Sequence, residues 1–169
     1  MNDPHPKITM ESPLTEDLGL LFARHTADMH ADTPPESIHM MPRADLAASG
    51  IDFFVVRIDG RPVAMAALKA LPVSSETREA EIKSMHVLTE DRGAGLSRLL
   101  LQHVINHARD AGIGRINLET GIQPTFISAR ALYQRFGFTE CGPFFGYAPD
   151  TNSVFMTLEL GPACKAEVD

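Results

Sequence analysis

The chain has 169 residues, a formal net charge of −7, 44% apolar and 22% charged residues, and two cysteines. That length suits a single domain, 1–169, with a core large enough to need no disulfide staple, and the composition excludes a disordered or collagen-like chain. The acidic balance argues against nucleic-acid binding, which needs a surplus of lysine and arginine to displace counterions from phosphates.

The opening residues carry neither an apolar leader nor an arginine-rich amphipathic pattern, and no apolar run approaches a membrane span, so a cytoplasmic protein with no membrane partner is expected. A short strand is expected at Lys7–Met10. Ser12 and Pro13 then read as the N-cap and first residue of a helix whose inner face is Leu14, Leu18, Leu21, Phe22, His25 and Met29. The prolines of "DTPPESIHMMPRADLAASG" forbid one continuous helix and predict a loop with short turns at Glu36–Met40 and Arg43–Ala48.

Two runs rich in Val, Ile and Phe flank Asp59-Gly60, which predicts a hairpin of Phe53–Ile58 with Pro62–Leu71. The next strand alternates Glu81, Lys83, Met85 and Val87 on one face with Ile82, Ser84, His86 and Leu88 on the other. A helix follows on Leu96, Leu99, Leu100, His103, Val104, His107, Ala108 and Ala111, ended by Gly112. "RINLET" reads as a strand, "PTFISARALYQRF" as a helix opened by Pro124, and "SVFMTLEL" as the last strand. The helix between the strands near Leu88 and Arg115 permits a parallel crossover, so the sheet is expected to be mixed.

The informative stretch is "EDRGAGLSRLLL", Glu90–Leu101. A strand entering a glycine loop and then a helix leaves amides unpaired at the helix start, with the positive end of the dipole behind them. Gly93 and Gly95 admit a close ligand and Arg92 adds a cationic fork, a combination suited to a pyrophosphate. A dinucleotide fingerprint lacks its third glycine here, and nothing matches a P-loop.

This pattern resembles the GNAT superfamily of N-acetyltransferases, whose acetyl-CoA motif runs Gln/Arg-x-x-Gly-x-Gly/Ala after the fourth strand. Arg92, Gly95 and Ser97 hold the three key positions, with Ser97 departing from the usual Gly or Ala. "ALYQRFGF" resembles the second signature of that family, and "NLETG" and "CGPFFGYAPDTNSVFM" resemble a bacterial branch of small, largely uncharacterised members. The resemblance, from about Phe53 to Leu160, implies an α/β (α+β) GNAT fold. Its features are a mixed, mostly antiparallel sheet of six to seven strands, helices on both faces, and a splayed fourth and fifth strand. The tail from about residue 162, which includes Cys164, is expected to be disordered.

Carried over residue by residue, the resemblance implies that the backbone of Met85, His86 and Val87 holds the acetyl and pantetheine part of acetyl-CoA, the cosubstrate. Arg92, Gly93, Ala94, Gly95, Leu96 and Ser97 would hold its pyrophosphate. Phe126 stands where the family often has a ligand-binding Asn, and Ser128 is the candidate replacement. Tyr133 matches the tyrosine proposed as general acid toward the CoA sulfur, and the amide of Val87 is the oxyanion donor. Glu81, at a strand position where some members place a base, has two readings: base or solvated strand residue. Phe145 and Tyr147 are candidates for lining the acceptor pocket.

His103 and His107 have the spacing of a metal pair but lack the glutamate of a His-Glu-x-x-His motif, so no metal is expected. Cys141 as a nucleophile is the less favoured reading, since reduced, unbridged thiols fit both cysteines better. The leading expectation is an N-acetyltransferase acting on a primary amine of a small molecule, or less readily of a protein. The alternative is a non-catalytic acyl-CoA-binding sensor. A homodimer is an expectation carried by the resemblance alone.

Overall fold

The computed structural model describes residues 5–161; the expected tail from about 162, with Cys164, lies outside the described residues. The Asp59-Gly60 hairpin forms as its turn residues dictate, joining β2 (Ile51–Ile58) to β3 (Arg61–Ala70). β1 (Lys7–Met10) pairs with β2, and β4 (Glu79–Val87) pairs with β3, all antiparallel. α2 (Leu96–Asp110) then carries the chain to β5 (Arg115–Gly121), which lies parallel to β4. After α3 (Ile127–Arg135), β6 (Thr139–Cys141) and β7 (Ser153–Glu159) complete a seven-stranded sheet of order β1-β2-β3-β4-β5-β7-β6. The sheet is therefore mixed and mostly antiparallel, with one parallel pair. β6 is three residues on an edge, too short to show a periodicity of its own.

α2 and α3 cover one face. Their contact with the sheet is the larger core, built on Phe54, Val56, Ile82, Leu100, Leu101, Val104, Ile116, Leu118 and Met156. α1 (Gly19–Asp32) covers the other face, with Leu18, Leu21, Leu46, Phe53, Val55, Met65 and Leu88 in a second core. Burying faces of this size is the main favourable term in folding, at about 25 cal/mol per Å² of apolar surface removed from water.

The first helix starts later than its sequence suggests. Ser12 Oγ accepts from the Leu14 amide (3.2 Å) and Ser12 O from the Thr15 amide (3.1 Å), which makes a turn. A 3-10 turn at Glu16–Leu18 follows, and α1 begins only at Gly19. Leu14, expected on the inner face, is therefore 57% exposed, while Leu18, Leu21 and His25 are buried as expected.

β4 departs from simple alternation. Ser84 takes a positive φ of 55°, and the register with β3 shifts between Met65/His86 and Ala67/Lys83. Such a bulge inserts one residue and turns everything beyond it to the opposite face. Glu81 and Lys83 consequently share a face with His86 and Leu88, while Met85 and Val87 pass to the α2/α3 side with Ile82. The expected grouping of Glu81 and Lys83 with Met85 and Val87 is corrected by this one residue.

Candidate active site

β4 and β5 pair only from Glu79↔Arg115 to Ile82↔Leu118, although both strands run on, to Val87 and to Gly121. The sheet opens there into a V. The Leu88 amide donates to Val63 O on β3 (2.9 Å), so by strand alternation the N–H and C=O of Val87 face the gap. That carbonyl accepts from Arg92 Nε at 3.0 Å.

A cavity of about 400 Å³ fills the mouth of the V. It is bounded by β4 at Met85, His86 and Val87, by the loop and first turn of α2 at Arg92, Gly93, Leu96 and Ser97, and by Ser128 and Tyr133 of α3. Gly93 and Gly95 have φ of 87° and 78°, the left-handed region that disfavours a side chain, and a Cβ on either would meet nothing within 4 Å. The backbone thus curls into open space. Among the described residues α2 has no side-chain cap, and the amides of residues 96–98 have no backbone partner. Gly95 and Ser97 also line a groove on the outer side of this turn, beside Arg98 and Arg135, whereas Ala94 lines neither space.

Arg92 is half exposed at the mouth, with Nη2 donating to Asp28 Oδ2 of α1 at 2.8 Å. His86 lies against the same carboxylate (3.9 Å) and beside His25, with ring centroids 5.3 Å apart. Burial holds both imidazoles neutral, their pKa lowered to about 4, and His86 Nε2 finds no partner among the described residues.

Behind the mouth is an inner cavity of about 100 Å³, sharing His25, Met29, Met85, Phe126, Ala129 and Tyr133 with the outer one. Tyr133 stands on the α2/α3 side, packed edge-on to Phe138, with its hydroxyl turned to Met85 Sδ at 3.6 Å. Burial, reinforced by the charge of Glu119, pushes its pKa up to about 12, so the hydroxyl keeps its proton at neutral pH.

Glu119 escapes a reading of the sequence by motif. It is the first β5 residue past the last β4 partner, and its neighbours Leu118 and Ile116 belong to the α2/α3 core, so its side chain takes the other face. Ser153 Oγ donates to Oε1 at 2.7 Å. Burial nevertheless raises the Glu119 carboxyl above the usual range. The signal available in the sequence is the period-two pattern of "RINLET", which separates Glu119 from the apolar positions.

Glu81 has a different setting. It is 3% exposed, accepts a short hydrogen bond from Tyr147 Oη, and lies 3.3 Å from Lys83 Nζ. Lys83 also donates to Tyr147 Oη and to His39 O, both at 2.8 Å. The Glu81–Lys83–Tyr147 cluster is closed on itself, and Glu81 does not line the inner cavity. Tyr147 stands behind the wall, its ring edge-on to His39 and Phe155 and its pKa raised by burial and by Glu81. Phe145, 59% exposed, lines neither cavity and borders a separate groove with Leu71, Pro72 and Arg115. Cys141 borders that same groove, its thiol pKa raised by burial.

Two loops close the far side. Asp150 accepts from Ser37 Oγ (3.1 Å) and faces His39 Nε2 (3.3 Å), while Asn152 Nδ2 donates to Ser37 Oγ (3.2 Å). Outside the site, His107 pairs with Asp52 (2.7 Å), and both His103 and His107 pack edge-on against Phe54. Among the described residues no group of three or more His, Cys, Asp or Glu is placed to hold a metal, and no helix is long and apolar enough to cross a membrane.

Comparison with known proteins agrees with this geometry. The model of the acetyltransferase (GNAT) family matches residues 21–138. The chain is 39% identical over 140 residues to the uncharacterised N-acetyltransferase YsnE of Bacillus subtilis, covering 83% of this chain and 90% of that protein. It is 36% identical over 161 residues to an IAA acetyltransferase of Azospirillum brasilense, covering 93% and 99%. Among solved structures, a Klebsiella pneumoniae protein assigned as an acyl-CoA N-acyltransferase superposes with a TM-score of 0.74 at 26% identity, covering 94% of this chain and 99% of that one.

Proposed function

The chain belongs to the GNAT family of acetyltransferases, and on that premise we propose that it carries the acetyl group of acetyl-CoA to the primary amine of a small molecule by direct attack on the thioester. One observation carries the reading: the free edge of β4 leads, through a turn at Thr89–Asp91 and the glycine loop, to a helix start whose amides have no partner among the described residues. A strand-like amide chain ending in a pyrophosphate satisfies both. Its thioester supplies the electrophilic carbon.

In this reading the gap-facing backbone of Met85 and Val87 binds the pantetheine amides, and the Val87 N–H donates to the carbonyl oxygen as charge develops there. The loop Arg92–Ser97 takes the pyrophosphate, with Arg92 turning from Asp28 to meet it. Ser128, on the cavity wall, replaces the polar contact that Phe126 cannot make.

Glu119, rather than Glu81, receives the proton of the arriving ammonium. Its carboxylate borders the inner cavity, and its raised pKa brings it closer to neutral pH, where a general base works best. The freed lone pair forms the C–N bond as the C–S bond breaks. Tyr133 gives its proton to the departing thiolate and recovers one from the amide nitrogen, so one proton is released overall. Glu81 serves as a positioning residue, holding Lys83 and Tyr147 and through them the loop at His39. The inner cavity is of a size for the amine end of an acceptor. The cytoplasm, the compartment expected from the sequence, is where we place the reaction.

The test is thiol release from acetyl-CoA over a panel of primary amines, with Tyr133→Phe beside the wild type. Turnover lost in that variant with acetyl-CoA binding retained supports the reading. Thermal stabilisation by CoA without turnover on any amine supports an acyl-CoA-binding sensor instead, and no CoA binding refutes both.

A further inference from the structure

The inner cavity also speaks to the acceptor, provided the acetyl transfer proposed above is its chemistry. Its apolar wall is Met29, Met40, Phe126 and Ala129. Of its cationic candidates, Lys83 directs its donors at Tyr147 Oη, His39 O and Glu81, and His39 is paired with Asp150. His25 is neutral at neutral pH. Glu119 takes one donor, from Ser153, and among the described residues no cation lies within ion-pair distance of it. The cavity therefore offers one carboxylate with an oxygen to spare, and no free positive charge.

Depth is limited as well. Phe126 packs onto Gly121 so closely that a Cβ there would collide with its ring and with Gln123 Oε1. At about 100 Å³ the inner cavity has a quarter of the volume of the outer one it adjoins, so the arm it takes is short.

We propose that the acceptor is a primary amine on a short, uncharged, unbranched aliphatic arm, with no carboxylate beside the nitrogen, and that Phe126 sets the length of that arm. An ammonium meets Glu119 and leaves the arm against methionine and phenylalanine. An amino acid would bring its carboxylate toward Glu119, where the nearby cations Lys83 and His39 are already committed to other partners, and burying an unpaired charge is strongly unfavourable. A second ammonium at the far end of the arm would be buried among the same apolar side chains. Thioethers suit this role because their flexible chains fill irregular gaps around a ligand.

The experiment measures kcat/KM with butylamine, norvaline (the same skeleton with a carboxylate beside the nitrogen), 1,4-diaminobutane and phenethylamine. The wild type is expected to prefer butylamine to norvaline by at least about 100-fold and to 1,4-diaminobutane and phenethylamine by about 10-fold or more. Phe126→Ala should shift the phenethylamine/butylamine ratio upward by at least about 10-fold. Phe126→Leu, which keeps more of the packing on Gly121, should shift it in the same direction by less, and melting curves confirm that each variant is folded. Equal or better use of norvaline, or a ratio unmoved in folded Phe126 variants, overturns the acceptor class and leaves the acetyl transfer standing. No turnover of any amine, with acetyl-CoA still raising Tm, overturns both.

Discussion

Tyr133 and Glu119 border one cavity from opposite faces of the sheet, the tyrosine on the α3 side and the glutamate on the α1 side. Strands normally keep such side chains apart, and the early end of β4–β5 pairing is what lets them share a space. An acid and a base are thereby held on the two sides of the line that a thioester would follow.

This arrangement makes rate depend on pH in a definite direction. Glu119 must be ionised to accept a proton, so kcat/KM should rise as pH climbs through its pKa, which burial places above the usual carboxylate range. Glu119→Gln should abolish that acid limb and cut kcat by about 10²-fold or more, the scale of a lost general base. Tyr133→Phe should cost a similar factor in kcat with little change in acetyl-CoA affinity. Pre-steady-state thiol release and isothermal titration separate the two effects.

Arg92 is engaged by Asp28. Arg92→Ala should weaken CoA binding by about 10- to 100-fold, the range expected for losing a charge-assisted hydrogen bond of about 1.5–3 kcal/mol. Asp28→Asn should do the opposite and tighten it several-fold, because the guanidinium no longer leaves a carboxylate to reach the phosphate. Titrations of both variants at two salt concentrations check the signs.

Ser84 governs which side chains of β4 face which layer. Ser84→Gly should be tolerated or slightly stabilising, since glycine adopts a φ of 55° freely. Ser84→Val should lose about 1–3 kcal/mol in urea denaturation, because a branched side chain resists the left-handed region. Activity should fall with it as Met85 and His86 are forced from their faces.

His25 and His86 link stability to acid. Their folded pKa of about 4 lies below the ordinary imidazole value of 6.5, so the unfolded chain binds protons first. The neutral pair contributes its full share above about pH 6.5, and this is lost as pH falls toward about 4, by a few kcal/mol at most for the two. Denaturation curves at pH 7.5 and 4.5 should show the loss, and His25→Gln should shrink it.

Much of this is legible in the sequence. The hairpin at Asp59-Gly60, the amphipathic period of α2 and the glycine step announce themselves because local chemistry decides them. The bulge does not, since nothing in "IKSMHV" marks Ser84 for a positive φ, and the pairing with β3 imposes it. Glu81 and Glu119 are both strand glutamates in sequence terms. Only the tertiary neighbours, Lys83 and Tyr147 for the first and an open cavity for the second, tell them apart.

The parallel join between β4 and β5 spans just Glu79–Ile82 and Arg115–Leu118, while β5 is stitched to β7 along its whole length from Arg115 to Gly121. Mechanically, the sheet is two panels meeting at a short seam. A cosubstrate laid in the open end of that seam would act as a splint as well as a reagent. Loading the enzyme would then stiffen the same hinge line that admits the acceptor, and release of the spent thiol would loosen it again.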